Sequence, residues 1–90
     1  MQSKNRKPAT AAERAYMLRV KSLPCSVCGA PAPSIAHHID QADNYSTVAL
    51  CEPCHVGPVN GWHGQRHIWN VMKMSEIDAL FKTIRALNSS

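Results

Sequence analysis

Two Cys-x-x-Cys pairs, Cys25-Ser26-Val27-Cys28 and Cys51-Glu52-Pro53-Cys54, constrain this chain more than any other feature of it. Twenty-two residues separate the pairs, close to the spacing of four-cysteine metal sites. A two-residue gap lets two thiolates of one tight turn reach a single tetrahedral ion, and a second turn completes the shell. Gly29, directly after the first pair, eases such a turn because it tolerates unusual dihedral angles. A shell of four sulfurs is closed, so the implied zinc is structural and not catalytic. The competing readings are two disulfides or one redox-active pair. A reducing compartment disfavours the disulfides, and a single redox centre has no use for two pairs.

The need for a staple follows from length. Ninety residues are enough for one domain and not for two. A domain of this size buries only about 60–65% of the surface its unfolded chain exposes. Its core alone is marginal, and small domains of this kind rely on disulfides, a metal or a partner. Structural zinc contributes about 10–16 kcal/mol in zinc-finger peptides, comparable with the whole stability of a small domain.

Residues 1–9 read as a flexible basic arm and 10–90 as a single domain. No apolar run approaches the roughly 20 residues of a membrane span. The polar, basic start has no apolar segment behind it, which speaks against a secretory signal and for the cytoplasm. A net charge of +4 and a pI of about 9.1 suit a polyanionic partner.

Thr10-Ala11-Ala12-Glu13 fits a capping box, and a helix is expected from about Ala11 to Ser22. Tyr16, Val20 and Leu23 give it an apolar side, and Pro24 stops it. Ile35–Asp40 and Thr47–Leu50 read as short strands of a hairpin, joined by a polar turn around Asp43-Asn44. Gly57, Pro58 and Gly61 make the stretch from Val56 to Gly64 irregular. A short helix is expected from about Gly64 to Lys73, with Trp62 and Trp69 in the core. Ser75 caps a last helix in which Ile77, Leu80, Phe81, Ile84 and Leu87 recur at helical spacing, a packing stripe. The fold class is α+β.

The histidines bear on function. There are five, His37, His38, His55, His63 and His67. A zinc shell already filled by cysteine does not need them, so a second, open metal site is the economical reading. The plainer reading buries one of His37 and His38, exposes the other, and lets His55 replace a cysteine in the zinc shell. Imidazoles suit zinc, nickel or cobalt, whereas magnesium prefers oxygen. Asp40 is the only carboxylate near His38 in the sequence. The working ion therefore stays open among Mg2+, Mn2+, Ni2+, Co2+ and Zn2+.

Ala36-His37-His38-Ile39, followed by Leu50-Cys51-Glu52-Pro53-Cys54-His55, resembles the pattern of the HNH nucleases. The run from Cys54 to Gly64, with its Gly-Pro and Trp-His-Gly segments, is similar to a narrower branch. That branch is the RecA-dependent, recombination-enhancement (Ref-like) nucleases of phages, which also end in a serine-capped helix. The resemblance covers about Ala11 to Leu87.

The resemblance implies a zinc-stabilised ββα-metal (HNH) domain with flanking N- and C-terminal helices. It implies a DNA endonuclease of phage or prophage recombination, acting in a bacterial or phage-infected cell. A RecA-type recombinase filament would be a further partner. Cys25, Cys28, Cys51 and Cys54 stand where such proteins hold structural zinc. His37 and His55 stand at ligands of the catalytic ion, and His38 at the general base. The usual third ligand position is Val59 here. His63 takes its place in the narrower branch, with His67 as competitor. The family's central asparagine, which braces the loop between the strands, falls on Ser46, with Asn44 nearby. The implied products carry 5′-phosphate and 3′-hydroxyl ends. Lys4, Arg6, Lys7, Arg14, Arg66 and Lys73 are candidates for contacts to DNA phosphates, which carry no direct sequence information. The alternative function is a non-catalytic zinc module that binds DNA or a protein.

Overall fold

The computed structural model describes residues 8–89. The basic positions Lys4, Arg6 and Lys7, and most of the expected arm, lie outside the described residues. Among those described, no helix is long and apolar enough to cross a membrane.

The structure is a small α+β arrangement of a two-stranded antiparallel sheet and four helices. Helix α1 spans Ala11–Lys21 and starts as the sequence demands. Glu13 donates its backbone N–H to the Thr10 hydroxyl, and the Glu13 carboxylate accepts the Thr10 N–H in return. Strands β1 (Ile35–His38) and β2 (Thr47–Leu50) follow. β1 stops two residues before the expected Asp40. Asp40, Asp43 and Ser46 bind backbone groups of the connecting loop and draw the chain out of the ladder.

Helix α2 (Glu52–Val56) begins on the second cysteine pair, with Pro53 in its first turn where a missing N–H costs nothing. Periodicity does not announce it, because five residues are too few, and only the ββα resemblance implies a helix there. Helix α3 spans only His67–Val71, shorter than the expected Gly64–Lys73. Arg66 and Lys73, at φ 58° and 56°, are left-handed and break the helix at both ends. Helix α4 (Glu76–Ser89) opens with a mutual cap: Asp78 N–H donates to the Ser75 hydroxyl, and the Asp78 carboxylate accepts from Ser75 N–H.

In the register Ile35↔Leu50, Ala36↔Ala49, His37↔Val48 and His38↔Thr47, paired residues share a face. All four residues of β2 are buried, so both faces are covered. Val48 and Leu50 pack with Cys25, Val27, Cys54, Trp69 and Ala79. Ala49, on the other face, packs with Val20, Leu23 and Leu87, against which Tyr16 and Ala36 also lie.

The expected packing stripe of α4 needs correction. Ile77, Phe81 and Ile84 are 48%, 51% and 38% exposed, and only Leu80 and Leu87 turn inward. The buried row is Ala79, Thr83 and Leu87. Small side chains bring the helix backbone close to β2, and the Thr83 hydroxyl takes the Ala49 N–H and pairs with the Ser26 hydroxyl. The inner face of α4 is thus docked on β2 through polar bonds of Thr83 as well as apolar contact. Periodicity alone points to the larger apolar residues.

Candidate metal centres

The four cysteines converge as their spacing implies, and none is in a disulfide. Their sulfurs lie within 4.8 Å of one another, a separation that fits a four-thiolate metal site. The first pair sits on a knuckle. Gly29 N–H closes it onto the Cys25 carbonyl at 3.0 Å, and Gly29 itself is at φ +78°. A side chain there would be strained. The N–H groups of Val27 and Cys28 point back at the Cys25 sulfur, at 3.4 and 3.5 Å.

These amides change the chemistry of the thiols. Burial pushes Cys25 up, but the backbone N–H groups of Cys28, Cys51 and Val27 outweigh it and hold Cys25 at about 7. Burial pushes Cys54 far above the usual thiol range, with the neighbouring Cys51 thiol and the Cys25 charge adding to it. Cys51 rises as well, mainly through burial. One thiolate is thus ready, and full ionisation of the cluster calls for a cation. Zinc fits this donor set.

A second group of donors stands beside the first. His37 leaves β1 on the face of Val48, His55 belongs to α2, and His63 follows in the loop after it. One nitrogen from each lies within 4.8 Å of the others. The ring centroids are 4.9 Å (His37–His55), 5.3 Å (His37–His63) and 5.0 Å (His55–His63) apart. His37 is buried, His55 half-buried and His63 exposed, so the cluster opens to solvent on one side. Burial lowers the pKa of His55 from its ordinary value, and positive charge on His37 or His63 lowers it further. The neutral imidazole that a metal requires is therefore favoured.

The loop carrying His63 is folded back on α2. His63 N–H donates to the His55 carbonyl at 3.1 Å, and Trp62 N–H to the Cys54 carbonyl at 2.9 Å. The buried Trp69 indole N–H reaches the same Cys54 carbonyl at 3.0 Å. Gly61 and Gly64 make this fold possible. A Cβ on either would collide with the backbone of Gly57.

His67 does not join the three imidazoles. It is exposed at the start of α3, and its N–H is bound to the Val59 carbonyl. Val59, at the position the motif leaves without a ligand, is half exposed.

His38 also stands outside the cluster. Neighbouring strand residues face opposite ways, so His38 shares the Thr47 face and not the His37 face. Its Nε2 lies 2.9 Å from Oδ1 of the buried Asn44. An amide oxygen only accepts, so Nε2 carries the proton and Nδ1 keeps a free lone pair. Ser46 binds the loop itself, accepting from Asp40 N–H and donating to the Asp43 carbonyl. The two candidates for the brace thus divide the work: Ser46 holds the loop and Asn44 holds the imidazole. Asp40 spends its carboxylate on Ala42 N–H.

The carboxylate that does meet the cluster is one the sequence reading missed. Glu76, in the first turn of α4, lies 2.6 Å from His37 Nε2. No spacing rule connects positions 39 residues apart.

Among the cationic candidates, Arg66 stacks on Trp62, its guanidinium carbon 3.7 Å from the ring centroid, and donates to the Trp62 carbonyl. Arg14 and Lys73 are exposed. Trp69 is a core residue, as expected, and Trp62 packs edge-on against it while remaining partly open. Compared with models of protein families, with curated proteins and with solved structures, the chain gives no match.

Proposed function

We propose that this protein is a metal-dependent DNA endonuclease of the HNH type, built on a ββα-metal unit made of β1, β2 and α2. The observation that carries the reading is the trio His37, His55 and His63, gathered apart from a cysteine cluster that needs no further ligand. Three imidazoles open to solvent on one side are the donor set of a site that keeps positions free.

His37, His55 and His63 would hold the divalent cation. When bound, such an ion supplies positive charge for the phosphate and for the departing oxygen. The remaining work belongs to the chain. His38 is the last residue of β1, where the ladder opens into the loop. Asn44 fixes its protonated nitrogen and leaves Nδ1 as the base. That nitrogen takes a proton from water. The water oxygen then bonds to phosphorus as the bond to the 3′-oxygen breaks, and that oxygen takes a proton from solvent, leaving a 5′-phosphate and a 3′-hydroxyl. A positioned general base contributes about 10²–10⁴-fold to such a step.

DNA is the substrate, and the chain's net charge of +4 suits it. Arg66, fixed on Trp62, and the exposed Arg14 and Lys73 are the candidate phosphate contacts within the described residues. A place in phage recombination, with a RecA-type filament as partner, follows from the resemblance of the segment from Cys54 to Gly64.

The test is plasmid nicking across a panel of divalent ions, with wild type, His38→Ala and His63→Ala compared. Wild type nicks, and each substitution lowers the rate by about 100-fold or more. Nicking undiminished in His38→Ala removes that residue from the base role. A wild type inactive with every ion refutes the enzyme reading.

A further inference from the structure

The four cysteines suit a zinc ion, and the three imidazoles have a proposed cation of their own. Glu76 belongs to neither, yet its carboxylate is bound at short range to the most buried of the three histidines. We propose that Glu76 is a positioning residue. It fixes the tautomer and ring plane of His37, so that Nδ1 is the nitrogen offered to a divalent cation. This rests on the reading of His37, His55 and His63 as a cation site.

Three observations carry it. First, the Oε2–Nε2 separation of 2.6 Å is that of a strong hydrogen bond. A carboxylate oxygen only accepts, so His37 Nε2 bears the hydrogen, and a nitrogen that bears hydrogen cannot ligate a metal. Nδ1 is what remains. Second, among the described residues, the donors that lie within 4.8 Å of one another here are three imidazoles and no carboxylate. Glu76 therefore approaches His37 from outside the trio and is not a fourth member of it. Third, both partners are restrained. The His37 side chain is 5% exposed and that of Glu76 is 23% exposed. The Ser75–Asp78 cap holds the turn on which Glu76 sits, and Met74 N–H is bound to the Trp69 carbonyl just before it.

A metal-binding histidine whose other nitrogen donates to a carboxylate is a recurrent arrangement. The carboxylate keeps the ring from rotating, and losing such a partner typically costs about 10–100-fold in metal affinity. Here the partner comes from α4, an element outside the hairpin, helix α2 and the following loop that carry the three histidines. Correct docking of α4 on β2 thereby becomes a condition for a well-formed cation site.

Two measurements on the protein loaded with one zinc per chain test this. The first is calorimetric titration with Ni2+ of wild type, Glu76→Gln, Glu76→Ala and His63→Ala. Wild type takes up one nickel ion. Glu76→Ala binds it about 10–100-fold more weakly, and Glu76→Gln, which keeps an accepting oxygen, falls between. His63→Ala loses the site. Wild type that takes up no nickel refutes the cation site itself. Nickel binding by wild type that is matched by Glu76→Ala refutes only the role of Glu76. The second measurement is the His37 tautomer, read from long-range 15N–1H spectra before nickel is added. Wild type shows the Nε2–H form, and Glu76→Ala a mixture. An Nδ1–H form in wild type overturns the proposal whether or not the variants fold.

Discussion

Thr83→Val tests whether polar docking, and not the apolar stripe, sets the position of α4. Thr83 is completely buried. Its hydroxyl has one proton and two acceptor sites, and all three are used. It donates to the Ala79 carbonyl at 2.9 Å, accepts the Ala49 N–H at 3.3 Å, and lies 2.8 Å from the Ser26 hydroxyl. The ladder turns the amide and carbonyl of Ala49 away from β1, and Ser26 N–H takes the carbonyl. Valine has nearly the shape of threonine, so no cavity opens. What changes is that Ala49 N–H is stranded in the core, at about 1–3 kcal/mol, and the Ser26 bond is lost, at about 0.5–1.5 kcal/mol. One more buried methyl group returns about 0.8 kcal/mol. The Ala79 carbonyl sits within α4 and costs little. The net loss is about 2 kcal/mol, or about 8–16 °C in Tm for a domain of this size. The assay is thermal unfolding by circular dichroism at fixed free zinc, since ligand concentration moves Tm. Thr83→Ser, which keeps the hydroxyl, is the control and stays closer to wild type. A Thr83→Val protein within about 3 °C of wild type would refute the reasoning.

The other predictions are these. Chelation of zinc unfolds the protein, because the metal contributes about as much as the fold's entire margin; far-ultraviolet dichroism that survives a strong chelator would contradict this. His55 is held below its ordinary pKa in the folded protein. Its contribution to stability is therefore complete above the unfolded value of 6.5 and is lost as pH falls through the lower, folded one. Stability measured against pH without a second ion falls less steeply below pH 6.5 in His55→Gln than in wild type. Phe81→Gln, at the exposed face of α4, changes stability by no more than about 0.5 kcal/mol, whereas Leu87→Ala costs about 2–5 kcal/mol; denaturant melts separate the two. Asn44→Ala lowers nicking by about tenfold, a smaller loss than the roughly 10²–10⁴-fold of a removed base, and adds nothing once His38 is already alanine.

Much of the arrangement is legible in the sequence because it rests on short-range rules. The Thr10–Glu13 cap, the Ser75 cap, the two strands and the cysteine knuckles are each encoded within a few residues. The grouping of His37, His55 and His63 is legible through the motif and the Trp-His-Gly segment, and His63, not His67, is the histidine that arrives. What escapes depends on tertiary docking. Helix α2 is too short to show a period. The inner face of α4 includes the buried Thr83, which no apolar pattern marks. Glu76 reaches His37 only because α4 lies across β2. The division of labour between Asn44 and Ser46 needs the loop's actual path.

The two clusters are mechanically one device. Helix α2 has five residues, far too few to persist alone, since isolated helices under about 12–15 residues are marginal in water. Cys51 at its cap and Cys54 within it tie it to the first knuckle. His55 N–H is bound to the Cys51 carbonyl, and His63 hangs from the His55 carbonyl in turn. Two of the three imidazoles are thus placed through the segment that the cysteines hold, and the third, His37, is placed by β1 and by Glu76 of α4. A closed thiolate site carries no reactivity of its own. A zinc ion held there would tie the five-residue α2, and with it His55 and the segment that carries His63, to the first knuckle.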